Sequence, residues 1–282
     1  MRIGPYDLHP LDTGTFALDG GAMFGVVPKP LWEKTNPPDE RNRIPLAARS
    51  LLIRGDGRTI LVDVGNGDKL NEKLRGIYKI DNSGATIRAS LAARGVTPEQ
   101  VTDVILTHLH FDHAGGSTVL ADGALRPAFP NARYYVQREH WEAAGAPTER
   151  DRASFFPDDF RPLREHGVLH FTEGEGPLFP GISVRLVHGH TAALQCPVIT
   201  DGTTTLFYCA DLMPTTAHVQ LPWIMAYDLR PLVTLEEKRA ILASALEEEW
   251  TLFFEHDPAV AAGRVRMSER GIVFGAPVEM DR

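Results

Sequence analysis

Apolar residues in this chain fall into short runs, and several of those runs stop at a side chain capable of chemistry. Leu51-Leu52-Ile53 and Thr59-Ile60-Leu61-Val62, joined across Gly55-Asp56-Gly57, predict a β-hairpin. Asp103-Val104-Ile105-Leu106 predicts a buried strand, as do Leu186-Val187, Leu206-Phe207-Tyr208 and Leu252-Phe253-Phe254. Helical spacing runs from Ile87 to Arg94 and stops at Gly95, and again from Leu235 to Glu249. Thr97-Pro98-Glu99-Gln100 resembles a helix start. Strands with interspersed helices point to the α/β class. The regular strand–helix alternation and glycine-rich phosphate loop of a doubly wound parallel fold are missing.

The first strand end carries the densest chemistry. Thr107-His108-Leu109-His110-Phe111-Asp112-His113 places three imidazoles and a carboxylate within six positions, followed by Ala114-Gly115-Gly116, which should turn tightly into a helix. Imidazole and carboxylate together suit zinc, and also iron, cobalt or manganese. A metal needs more donors than one run supplies, and three further strand ends offer them. They are His190, beside a Gly189 expected to let the backbone turn, then Asp211, then His256. Polar groups at the ends of several apolar runs are what strands delivering ligands to one sheet edge would look like.

On these residues the chain resembles the metallo-β-lactamase superfamily of metal-dependent hydrolases over most of its length. The resemblance implies an αβ/βα four-layer sandwich, with His108, His110 and His190 holding one ion and Asp112, His113 and His256 a second. Asp211 would bridge the two. Leu61-Val62-Asp63-Val64-Gly65 resembles the strand that carries a supporting aspartate. Diiron redox branches have a glutamate where this chain has His110, and mononuclear branches replace Asp211 or His113, so a dinuclear hydrolytic centre is implied. A water shared by two divalent ions would then be hydroxide near neutral pH, with Asp112 holding the nucleophile and moving a proton. There is one departure. Acyl-homoserine lactonases carry a tyrosine three residues after the bridging aspartate, where this chain has Pro214; Tyr227 or His218 are the candidate substitutes.

Length and charge are consistent with this. The 282 residues, 43% hydrophobic, suffice for a single domain over 1–282, since cutting between His108 and His256 would dismantle the site. A net charge of −8 argues against a nucleic-acid surface. Cys196 and Cys209 sit in apolar segments and read as buried free thiols. The start lacks a signal-peptide core and no segment reaches the roughly 20 apolar residues of a membrane span. A cytoplasmic protein without membrane contact is expected.

The stretch from Gly20 to Trp32 is apolar, glycine-rich and proline-rich, a poor helix and a poor strand. It predicts that residues 20–45 form a mobile loop covering a pocket or contacting a second copy in a homodimer. Met23, Phe24 and Trp32 on that loop, with Trp223, Tyr227 and His218 opposite, are the expected substrate-binding residues. The ligand would be a small hydrophobic lactone or ester, as for a quorum-quenching lactonase. Organophosphate triesters and aryl esters are the first alternative; glyoxalase-type thioesters or phosphodiesters are the second. Arg264, Arg266 and Arg270 are the cations available for a thioester of glutathione, and spaced charges of that kind are expected to be solvated. His9, His140, His166 and His170 are expected at the surface, and His188 near His190 as a supporting group.

Overall fold

The computed structural model describes residues 1–280, which form two compact units, one of Met1–Thr15 with Ala48–Gly174 and one of Phe16–Ala47 with residues 175–280. The first nine strands are β1 (Arg2–Ile3), β2 (Tyr6–Asp19), β3 (Arg43–Gly55), β4 (Arg58–Val62), β5 (Asp103–Ile105), β6 (Thr118–Ala121), β7 (Ala124–Pro127), β8 (Arg133–Gln137) and β9 (Leu169–Thr172). Seven of them make one mixed sheet in the order β1-β2-β3-β4-β5-β8-β9, while β6 and β7 form a separate hairpin. The expected hairpin is β3–β4. Gly55 pairs with Arg58, and Asp56 and Gly57 both take positive φ (49° and 70°), the two-residue geometry that matches strand twist. From β4 onward the strands run parallel, so Asp63 follows β4 and Thr107 follows β5 on the same side of the sheet.

This unit's core is continuous. Leu52, Leu61, Val104, Leu106, Leu109, Phe129, Tyr134 and Phe160 are all within 1% of full burial. The Ile87–Ala93 helix adds Leu91, is capped by Thr86 Oγ1 accepting from Ala89 N, and ends before Gly95 at φ +68°, as its spacing predicted.

The remaining strands are β10 (Gly176–Phe179), β11 (Ile182–Val187), β12 (Leu194–Thr200), β13 (Thr205–Tyr208), β14 (Thr251–Phe253), β15 (Ala262–Ser268) and β16 (Gly271–Pro277), in that order across a second mixed sheet. Only β13 and β14 are parallel, and the Pro231–Glu247 helix makes the crossover between them. Tyr208 and Phe253, paired in register, stack at 5.0 Å, and Phe207 stacks on Trp250 at 5.9 Å.

Three expectations change. The helix near residue 235 begins at Pro231, whose fixed φ and missing N–H suit the first helical position. Ala114-Gly115-Gly116 does not lead into a helix: the run itself is the helical turn, Phe111–Ala114, and the glycines form a 3-10 turn before β6. Residues 20–32 form two short helical turns, Gly20–Phe24 and Lys29–Trp32, because Asp19 Oδ1 accepts from Ala22 N and Pro30 sits in the first turn of the second.

Candidate metal centre

In the first unit the histidine run is anchored on one buried carboxylate. Asp63, at φ +53°, accepts from Thr107 N (2.8 Å) through Oδ1 and from Thr107 Oγ1 (2.7 Å) through Oδ2. His113 Nδ1 also lies 3.1 Å from that Oδ2 and must donate, since an ionised carboxylate only accepts. Thr107 Oγ1, its hydrogen committed to Asp63, is left to accept from His108 Nδ1 at 3.1 Å. Both rings therefore keep Nε2 as a lone pair. His108 Nε2 faces His110 Nδ1 at 3.0 Å, and His113 Nε2 lies 3.9 Å from Asp112 Oδ2. The His108 ring centroid is 4.5 Å from that of His110 and 3.9 Å from that of His113, and all four side chains are buried. The turn can close only because Gly116 lacks a side chain: a Cβ there would sit 2.2 Å from Val64 O.

In the second unit His190 Nδ1 donates to Asp228 Oδ1 at 2.8 Å, and His256 Nδ1 donates to Ala47 O at 2.8 Å. Their Nε2 atoms then face the two oxygens of Asp211, His190 at 3.0 Å from Oδ2 and His256 at 3.3 Å from Oδ1. These are acceptors facing acceptors. Such contacts repel unless a positive charge lies between them, supplied by added protons or by a metal ion. Burial opposes a charged His190, yet Asp211 and then Asp228 outweigh it and push its pKa up to about 10, the same demand for a cation. The donor set, imidazole nitrogen and carboxylate oxygen with the far ring nitrogens already held, fits a zinc-type ion. Ala210, immediately before Asp211, takes φ +44°, a conformation costing an alanine about 1–2 kcal/mol.

The loop that carries His190 is held by groups the sequence did not single out. Glu237 accepts from His188 N (2.7 Å) and Gly189 N (3.1 Å), and Thr234 Oγ1 donates to Asp228 Oδ2 at 2.7 Å. Gly189 is required by close approach, since a Cβ would meet Thr234 Oγ1 at 2.1 Å; its φ is not positive. His188 supports the loop by accepting from Ala193 N at 3.2 Å. In the first unit His140 corrects the surface expectation: it is fully buried and its Nε2 accepts from Leu109 N at 2.8 Å inside the histidine run. His166 and His170 are exposed as expected, and His9 is half-buried. Lys69 was also missed. It donates to Gly115 O and, at 2.8 Å, to Thr118 O, and pairs with Asp159 at 3.0 Å. So was Tyr78, whose ring stacks on Phe111 at 4.7 Å and whose phenol pKa is raised by burial and then by the charge of Asp112.

The aromatic residues assigned to the substrate pocket form a closed cluster in the second unit. Phe24 stacks on His218 at 4.8 Å and Trp32 at 5.3 Å and meets Trp223 edge-on at 5.4 Å. Met23, Phe24, Trp32 and His218 are each no more than 1% exposed and Trp223 8%, so the first four present no face to open space. The apolar groups that remain outside are Val26, Leu31 and Tyr227. His218 Nε2 donates to Met23 O and its Nδ1 accepts from Thr215 Oγ1, both at 2.8 Å, and burial pulls its pKa down to about 4. It is a neutral strut. Cys196 and Cys209 are buried thiols outside any disulfide.

The family model described as the Metallo-beta-lactamase superfamily matches residues 43–256. An N-acyl homoserine lactonase of Bacillus cereus is 25% identical over 166 residues, 58% of each chain, so the chain spans under two thirds of that relative's length. A probable metallo-hydrolase of Mycobacterium tuberculosis is 28% identical over 222 residues, covering 67% of this chain and 66% of the relative. Among solved structures, a probable metal-dependent hydrolase from Staphylococcus aureus superposes with a TM-score of 0.90 at 32% identity, covering 99% of this chain and 98% of that one. The dizinc quorum-quenching lactonase AidC reaches 0.82 at 20% identity, over 100% of this chain and 97% of its own, which speaks for the fold. No described helix is long and apolar enough to cross a membrane.

Proposed function

The chain belongs to the metallo-β-lactamase superfamily, and we propose that it is a hydrolase that uses two divalent ions, zinc first, to open lactones or cleave carboxylic esters bearing hydrophobic groups. The observation that carries this is the pair of acceptor-to-acceptor contacts at Asp211, flanked by two histidines whose far nitrogens are already tied down. In this proposal His108, His110 and His190 hold one ion, Asp112, His113 and His256 the other, and Asp211 spans both, so that residues 1–282 work as one catalytic domain. Bound there, two divalent ions would lower the pKa of a shared water towards neutrality and polarise the acyl oxygen.

The protein's own groups do the rest. Asp63, Asp228 and Ala47 O fix the tautomers that leave each Nε2 available. Asp112 orients the attacking water, takes its proton and passes it to the leaving alkoxide. His218 cannot donate to the substrate, because both nitrogens are committed, which leaves Tyr227 and Tyr78 as the phenols able to stand in for the tyrosine absent at Pro214. Met23, Phe24 and Trp32 act from behind the pocket lining and hold Trp223 in place. The lactonase relatives support lactones as the first substrates to try.

The test is metal analysis joined to a hydrolysis panel of lactones, aryl esters, phosphotriesters and thioesters. Purified protein is expected to carry close to two ions per chain, to lose hydrolysis on chelation, and to favour lactones or esters. A fully active metal-free preparation would end the reading, and a preference for phosphotriesters would redirect it. We further propose a homodimer that covers the exposed Val26 and Leu31. Light scattering that gives the mass of one chain at micromolar concentration would refute it.

A further inference from the structure

A cavity lies wholly within the second unit, a cleft of about 880 Å³ between the loop after Trp32, the turn over 216–221, the Pro231–Glu247 helix and the β15–β16 hairpin. That volume is in the range of small-molecule sites. Its chemistry has three parts. The floor is apolar, from Leu221, Leu242, Ile272 and Phe274. The rim is cationic in a chain of net charge −8: Arg266 and Arg270 line it, exposed, and neither guanidinium has a side-chain hydrogen-bond or ion-pair partner among the described residues. The third cation, Arg239, is neutralised by Glu236.

The one carboxylate in the lining, Asp257, offsets one of the two arginines and leaves the rim net positive, and its oxygens are already filled by donors of the protein. It accepts from Thr216 N and Oγ1 on one oxygen and from Ala259 N and Val260 N on the other. The third part is Asn36, 7% exposed and lining the cleft, whose buried Oδ1 has no hydrogen-bond partner among the described residues. A buried amide oxygen in this state accepts from whatever donor reaches it, a water or the hydroxyl of a bound molecule. The wall is also rigid. Lys238, fully buried, donates to Gln220 O (2.9 Å), Leu221 O (3.2 Å) and Trp223 O (2.7 Å), which pins the loop that forms one side.

We propose that this cleft binds an amphiphilic hydroxycarboxylate, with its chain on the apolar floor, its carboxylate on Arg266 and Arg270, and its hydroxyl donating to Asn36 Oδ1. The site is separate from the proposed metal chemistry and does not depend on it.

Calorimetric titration of the metal-loaded full chain with 3-hydroxyoctanoate, octanoate and 1,3-octanediol tests each part. Saturable binding of 3-hydroxyoctanoate at one site is expected, and it should persist when the metal is chelated. Arg266→Gln with Arg270→Gln should weaken it by at least about tenfold, leaving hydrolysis unchanged. Asn36→Leu should erase a preference of about fivefold over octanoate, while the double arginine variant keeps that preference. The proposal is overturned if the uncharged diol binds as well as the acid, if the arginine variant binds like the parent, if chelation abolishes binding, or if no saturable binding occurs. Wild-type preference for the hydroxy acid in Asn36→Leu would likewise remove the third contact and with it the ligand class.

Discussion

Replacing Asp228 by asparagine isolates the contribution of a charge the metal itself would never touch. Asp228 is 1% exposed, holds His190 Nδ1 at 2.8 Å and accepts the Thr234 hydroxyl at 2.7 Å. Asparagine keeps the volume. With its oxygen towards His190, its NH2 turns to Thr234 Oγ1, whose hydroxyl can move to Arg230 O, already 3.5 Å away. Hydrogen-bond geometry therefore survives and the negative charge behind the imidazole does not. A bond to a charged partner is roughly twice as strong as a neutral one, and losing a carboxylate behind a metal-bound histidine typically weakens metal binding about 10- to 100-fold, or about 1.4–2.7 kcal/mol. Asp228→Asn should fall in that interval, and Asp228→Ala should be worse because Nδ1–H is then buried facing nothing.

The assay is competition against a chelator of known affinity near neutral pH, with metal stoichiometry read at each step. If His190 serves one ion of the pair, Asp228→Asn should release one equivalent early and hold the other close to the parent value. An unchanged titration would refute the orienting role. Loss of both ions together with a collapse of Tm would make Asp228 a residue of the fold instead.

Other outcomes follow from the same contacts. Tyr78→Phe keeps the stack on Phe111 and removes the phenol that senses Asp112, so kcat should fall about 100- to 1,000-fold with metal content intact; an unchanged kcat would take Tyr78 out of the reaction. His218 is neutral when folded, with its pKa pulled from 6.5 down to about 4 by burial. Its contribution to stability is therefore complete above about pH 6.5 and is lost as pH falls towards 4, where the unfolded chain takes up a proton the folded chain refuses. The loss reaches about 3 kcal/mol. His218→Gln should flatten that part of the stability–pH curve measured by denaturant titration, and a variant curve parallel to the parent's would show that His218 does not titrate in this window.

Most of the candidate site was legible because metal ligands must be particular residue types at strand ends, and a strand end shows in a sequence as an apolar run that stops. His108, His190, Asp211 and His256 each follow β5, β11, β13 or β14 within a few residues. The groups that orient those side chains leave no such trace. Ala47 acts through a carbonyl that any residue would offer. Asp228 and Glu237 look like ordinary acids before and within a helix, and His140 like a polar residue on a helix surface. The chain does bend at Gly189, but the close approach of Thr234, which no sequence pattern shows, is what excludes a side chain there.

The segment before the core shows a different kind of ambiguity. Phe24, Trp32 and Trp223 are apolar whether they line a pocket or fill an interior, so their pattern alone cannot separate the two. Their partner decides the matter. His218 lies between Phe24 and the Met23 carbonyl, a ring that stacks on one and hydrogen-bonds the other. A histidine with both nitrogens occupied and its ring face covered fastens the N-terminal turn to the turn after Asp211. Any effect of this cluster on substrate choice must therefore pass through the position of its least buried members, Trp223 and the adjoining Tyr227, and not through the rings sealed behind them.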